Sequence, residues 1–198
     1  MINFLEETKY INYSDENIVN ASRDLFYGIT DEVEKARIAY VFVRDSIPHS
    51  FDINAQVITV KASDVLKYKT GICHAKANLL CALMRSVTIP TGFCFQHITL
   101  NEDDSNGYCV HCYNAIFLNN KWIKVDATGN TNGKNAQFSL DVPKLAYDNR
   151  SEYNEYYWKG IYSAPHKECM IMLENAKSLS DILENIPDYV YTTPDVAE

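Results

Sequence analysis

A chain of 198 residues, 46% hydrophobic and 22% charged, lies in the ordinary globular range and is long enough to bury one substantial core. The formal net charge of -8, with acidic residues crowded towards both ends and no basic stripe, leaves nothing to offset repulsion from a phosphate backbone, so nucleic acid is not an expected partner. No run approaches ~18 apolar residues and Met1 to Glu7 lack the basic and apolar regions of an export signal; the expectation is no membrane span, a cytoplasmic protein, and six cysteines kept as thiols.

Roughly the first sixty residues read as helical. Asp31-Glu32-Val33-Glu34 places acidic groups where a helix begins, and Val33, Ala36, Tyr40, Val43 and Ile47 recur at helical spacing up to the stop at Pro48. A short helical turn is predicted to open at Ser63, a good N-cap, and to close near Lys69, ahead of Thr70-Gly71. The best helix follows. Cys73, Ala77, Leu80, Met84 and Val87 form one apolar stripe before Pro90, and because Gly71 breaks the chain just ahead, Cys73 falls at the first turn, where free N–H groups and the positive dipole end favour a thiolate.

From Thr91 the pattern becomes strand-like, at Phe93 to Ile98, Tyr108 to Leu118 and Trp122 to Val125; a Tyr-rich stretch from Tyr147 to Tyr162 and a short helix near Ser180 to Ile186 close the chain. Helices first and an antiparallel sheet later predict an α+β fold. Asn119-Asn120 reads as a two-residue hairpin loop, since Asn tolerates positive φ. Leu118 then opposes Lys121 and Asp126 falls opposite Tyr113. His111, two residues along the same face, becomes a diagonal neighbour of Asp126, ~7–8 Å between Cα atoms and within side-chain reach.

A helix-capping Cys packed against that face would complete a nucleophile, a base and an orienter. The thiolate attacks, His111 manages the proton, and Asp126 fixes the imidazole tautomer and supports the imidazolium. Amide acyl transfer is the natural reaction class for Cys73, His111 and Asp126.

These segments resemble the transglutaminase-like superfamily of thiol enzymes. The nucleophile motif is Gly71-Ile72-Cys73-His74-Ala75-Lys76-Ala77-Asn78-Leu79-Leu80-Cys81-Ala82-Leu83-Met84-Arg85, ending Ile89-Pro90. The His motif is His111-Cys112-Tyr113-Asn114-Ala115, and the Asp motif is Lys121-Trp122-Ile123-Lys124-Val125-Asp126-Ala127-Thr128. Three ordered motifs are far more specific than one. The resemblance implies a papain-like core of N-terminal helices with the nucleophile helix packed on an antiparallel sheet. It implies a single domain over residues 1–198, with a core of about 30–140 and a C-terminal extension at 141–198. Outcomes in the family range from hydrolysis and deamidation to crosslinking, and no cofactor or metal is expected, because nothing resembles the calcium sites of the crosslinking enzymes. Ile47-Pro48-His49-Ser50-Phe51-Asp52 and Gly129-Asn130 with Ala136-Gln137-Phe138 look like a bacterial subgroup. Tyr113 replaces a frequent Trp, Thr88 a Gly before Ile-Pro, and Ala127 departs from Asp-Pro-Thr.

Other residues carry two readings each. Gln96 is an oxyanion candidate or a sheet residue bonded to backbone. His49, Asp52 and Tyr113 are cleft candidates; for His49 and Asp52 a surface or structural role is the alternative. Cys109 is a wall of the site or a redox-sensitive second thiol. The Tyr-rich stretch lines a peptide groove or covers a sheet. A zinc site at Cys109-Val110-His111-Cys112 is disfavoured by strand alternation, which turns Cys112 to the opposite face. The rival to an enzyme is an inactive domain of the same fold that binds a peptide or protein partner.

Overall fold

The computed structural model describes residues 1–101 and 103–196. Capping sets where the first helices begin. Asp15 accepts from the Asn17 amide at the start of α1 (Glu16–Leu25), and Asp31 accepts from the Glu34 amide at 2.7 Å at the start of α2 (Glu32–Ser46). Each carboxylate satisfies a helix N–H and opposes the positive dipole end. α2 buries Ala36, Ala39, Tyr40 and Val43 along one face and ends at Ile47, which is extended as its place before Pro48 requires. Residues 47–61 are irregular, so the helical expectation holds only as far as Ser46.

Helix α3 (Ala62–Tyr68) starts one residue ahead of the expected cap. Ser63 lies inside it and turns to Asn12 instead, accepting from Nδ2 at 2.8 Å and donating its own N–H to Oδ1 at 3.3 Å. A long-range partner has taken the hydroxyl that local capping would have used.

Helix α4 (Cys73–Arg85) is buried on every side rather than along one stripe, and Cys73 is its only residue that is not buried. It packs against α1, α2, α3 and the sheet. Its four buried polar side chains bond mainly to main-chain carbonyls: His74 to Val110, Lys76 to Ile47 and Thr128, Asn78 to Val60, and Arg85 to Glu6, Thr91 and Ser163. Such bonding is what allows polar groups to lie in a core.

Strands β1 (Thr91–Thr99), β2 (Tyr108–Leu118), β3 (Lys121–Val125) and β4 (Tyr156–Tyr157) form an antiparallel sheet in the order β3-β2-β1-β4. The β2–β3 turn has Asn119 at φ 51° and Asn120 at φ 61°, and the ladder runs from Leu118↔Lys121 to Asn114↔Val125, in the expected register. Phe93, Phe95, Val110, Cys112 and Ile116 face the helices in the main core, while Cys94, Tyr113 and Ala115 join Phe4 and Ile161 on the other face. Gly92 makes that second cluster possible, since a Cβ there would sit 2.7 Å from Ile161 and 2.8 Å from Phe4. Helices α5 (Lys167–Asn175) and α6 (Leu179–Asn185) close the chain. No helix among the described residues is long and apolar enough to cross a membrane.

Candidate active site

Three elements converge at the N-terminus of α4. The first is the helix, which presents the half-buried Cys73 thiol at a turn whose amides lack intrahelical partners. The approach is tight: a Cβ on Gly71 would lie 3.2 Å from both Ala75 Cβ and Thr59 Oγ1. The second is β2. β3 pairs with it only from 114 to 118, so the edge at Val110 is open, and there His74 Nε2 donates to the Val110 carbonyl at 2.8 Å while the Val110 N–H donates to Pro187 O at 2.8 Å. The third is the loop after α2, where His49 bridges to Gly71 and the Ser50 N–H donates to Gly71 O at 3.1 Å.

His111 is 3% exposed and Asp126 is fully buried; their Nε2 and Oδ2 atoms are 2.8 Å apart. Asp126 also accepts from the Ala146 N–H and the Thr128 N–H, both at 3.0 Å. With Nε2 committed to Asp126, Nδ1 is the imidazole atom left to face a thiol. Burial opposes ionisation of Asp126, but the His111 charge and these hydrogen bonds prevail and hold its carboxyl below the usual range. Burial likewise works against the His111 imidazolium, and the charges of Asp126 and Cys73 overcome it and raise its pKa.

For Cys73, burial favours the neutral thiol, yet the charges of His74 and His111 and hydrogen bonding from His111 and His49 hold its pKa well below that of an ordinary thiol. Burial drives His74 itself towards the neutral form, and a neutral ring has no net charge to lend, so we assign the thiolate's stabilisation to His111, with His49 and the helix N-terminus behind it. The surroundings thus favour the thiolate of Cys73 and the imidazolium of His111, with the Asp126 carboxylate behind the ring.

The other expected residues fall out as follows. Gln96 is paired with His111 across β1 and β2, but its amide donates to Asn149 Oδ1 at 2.6 Å and Tyr147 O at 3.2 Å, so those donors are engaged with the protein itself. Asp52 accepts from Thr131 Oγ1 at 2.5 Å and Asn132 Nδ2 at 3.2 Å, tying the loop after Asp126 to the loop after α2. Tyr113 is buried, its ring stacked near His111 at 6.3 Å. Cys109 is half-buried, and burial together with the Cys73 charge pushes its thiol up. Asn130 closes the subgroup-like loop by bonding both backbone groups of Ala136. Among the described residues no group of three or more His, Cys, Asp or Glu side chains is placed to hold a metal ion.

Sequence reading missed three contributors. Ala146 donates to Asp126, and Tyr147 sets its ring edge-on to His111 at 4.8 Å, so the irregular segment at 146–149 covers the pair. Lys76 sits under the nucleophile. No local pattern distinguishes these positions, although a lysine at a core position of a buried helix was a legible anomaly. The crevice beside Cys73, lined by Lys76, Cys112, Tyr113, Ala127 and Thr128 among others, is too narrow to hold a water molecule. The larger hollow of about 720 Å³ between α5 and α6 contains none of these groups.

The family model of the transglutaminase-like superfamily matches residues 20–127. A crystal structure of a candidate cysteine protease from Cytophaga hutchinsonii is similar at a TM-score of 0.51 and 22% identity, over 64% of this chain and 41% of that one. A TGase crystal structure gives a TM-score of 0.42 and 13% identity, over 90% of this chain and 53% of that one. The chain thus spans about half or less of the length of these solved relatives. No curated protein matches it.

Proposed function

The chain belongs to the transglutaminase-like superfamily, and we propose that within it this protein is a thiol-dependent amide acyl-transfer enzyme that hydrolyses a peptide or side-chain amide. One observation carries the reading: a half-buried Cys73 thiol with a lowered pKa at a helix N-terminus, beside a buried His111–Asp126 pair 2.8 Å apart. On this reading Cys73 Sγ adds to the amide carbonyl carbon and the π electrons pass to oxygen, facing the free N–H groups of the first turn of α4. The tetrahedral adduct collapses as His111 Nδ1 gives its proton to the leaving amine, leaving a thioester on Cys73. Water, losing a proton to His111, then adds to the thioester carbon, and collapse of that adduct releases the acid and restores the Cys73 thiolate beside the His111 imidazolium. Asp126 holds the imidazole throughout.

The crevice beside Cys73 is far short of the ~300–1,000 Å³ usual for an engulfed small molecule, which favours an amide laid over the surface. Residues 1–198 act as one domain in this account, with a core at about 30–140 and the 141–198 extension covering His111 and the sheet edge. The six free thiols suit the cytoplasm. A non-catalytic peptide-binding role is favoured by one feature, the cover that Tyr147 and Ala146 place over His111 and Asp126.

Incubation with mixed peptides, including glutamine-bearing ones, decides between the two. The enzyme reading expects release of amine or ammonia, a thioester adduct on Cys73 after acid quench, and loss of both in Cys73→Ala. Peptide binding without release or adduct contradicts it and leaves the binding role.

A further inference from the structure

Lys76 lies three residues after Cys73 on α4, so the two share a helix face. It is 1% exposed. A lysine buried this completely is normally paired with a carboxylate. Here Nζ donates instead to three main-chain carbonyls: Ile47 at 2.5 Å, Thr128 at 2.8 Å and Arg44 at 3.5 Å. Ile47 is two residues ahead of His49, and Thr128 is two residues beyond Asp126. The ammonium therefore ties the ends of both site-bearing loops to the helix that carries the thiol. It also lines the recess beside Cys73.

We propose that Lys76 is a positioning residue of this site: its buried ammonium pins the His49 and Asp126 loops to the nucleophile helix and supplies the fourth charge that lets Cys73, His111 and Asp126 stay ionised together. The proposal rests on reading Cys73 as an activated nucleophile. Thiolate, imidazolium and carboxylate together carry one net negative charge in a buried setting, and Lys76 cancels it. The charged groups that face it are Asp126 beyond β3, Asp52 in the loop after α2, Asp45 at the end of α2, and Cys73 on its own helix. Burial lowers the Lys76 pKa to about 8 against the opposing pull of Asp126, Asp52, Asp45 and Cys73. The balance therefore holds at neutral pH and is lost as pH rises above that value.

Lys76→Met keeps the side-chain volume and removes the charge. The test is the pH profile of Cys73 alkylation, followed by mass spectrometry in the wild type and in Lys76→Met. The expected midpoint moves up by about one pH unit in the variant, so that alkylation at pH values below the wild-type midpoint slows roughly tenfold. A merely structural lysine would not move that midpoint. Coupling is reciprocal, so in protein carrying ¹³C-labelled lysine the Lys76 midpoint falls when Cys73→Ser removes the thiolate, a measurement that stands even where Lys76→Met does not fold. An unactivated Cys73 in the wild type overturns the nucleophile reading and this proposal with it. An activated Cys73 with an unchanged profile in Lys76→Met, or an unmoved Lys76 midpoint in Cys73→Ser, overturns the Lys76 proposal alone.

Discussion

His74 Nε2 donates to the Val110 carbonyl across 2.8 Å, and these two residues are the chain neighbours of Cys73 and His111. One buried hydrogen bond thus joins the nucleophile helix to the open edge of β2 next to both reacting groups. Burial favours the neutral ring against the pull of the Cys73 charge and the Val110 bond, which suits His74 to a fixed donor's role rather than a second base's.

His74→Leu leaves the Val110 carbonyl buried and unpaired, at a cost of about 1–3 kcal/mol. Thermal unfolding is expected to show that loss, and Cys73 alkylation at pH 6 is expected to slow by about tenfold as the helix end drifts from His111. His74→Gln, which can present an amide N–H to the same carbonyl, should retain most of both. Equal behaviour of the two variants would mean that the bond does not align the site.

Thr88 holds φ at 61°, a left-handed conformation that is strained for a β-branched side chain and that explains why Gly is usual ahead of Ile-Pro in related motifs. Thr88 is exposed, and its hydroxyl donates to the carbonyl of its neighbour Val87. Thr88→Gly is therefore expected to stabilise the protein by about 1 kcal/mol, or ~2–4 °C in Tm by calorimetry. A lower Tm would show that the entropy of the unfolded glycine outweighs the strain.

His166 caps α5 by accepting the Cys169 N–H on Nδ1 at 3.3 Å, a role open only to the neutral ring. Burial lowers its pKa to about 4. A folded pKa below the unfolded value of ~6.5 gives stability that is complete above pH 6.5 and lost as pH falls towards 4. His166→Asn keeps a capping acceptor without the titration, so between pH 7 and pH 4 it should lose about 3 kcal/mol less than the wild type in urea unfolding. Parallel losses would place the acid sensitivity elsewhere.

Local chemistry made much of this fold legible. Asn119-Asn120 announced the hairpin, and its register put Asp126 within reach of His111; Asp31 and Pro48 bounded α2, and Gly71 marked the start of α4. What stayed hidden depends on distant partners. Ser63 looks like a cap until Asn12 claims it. α5 is opened by a histidine rather than by a usual capping residue. The meeting of helix end and sheet rests on His74 and Val110, 36 positions apart, and the cover over Asp126 on a backbone N–H at Ala146, which no side-chain pattern encodes. Gln96 reads from sequence as an oxyanion donor or a sheet residue bonded to backbone, and its donors are taken by the segment around Tyr147 and Asn149, which lies about fifty positions away.

The most direct test of the central claim is the pH dependence of Cys73 alkylation by iodoacetamide, read by mass spectrometry against the other five cysteines and against His111→Ala. The expected result is that Cys73 reacts well below the ordinary thiol pKa of ~8.5 and loses that advantage without His111. A Cys73 that is accessible yet titrates as an ordinary thiol, with or without His111, would contradict the claim that the two form an activated nucleophile.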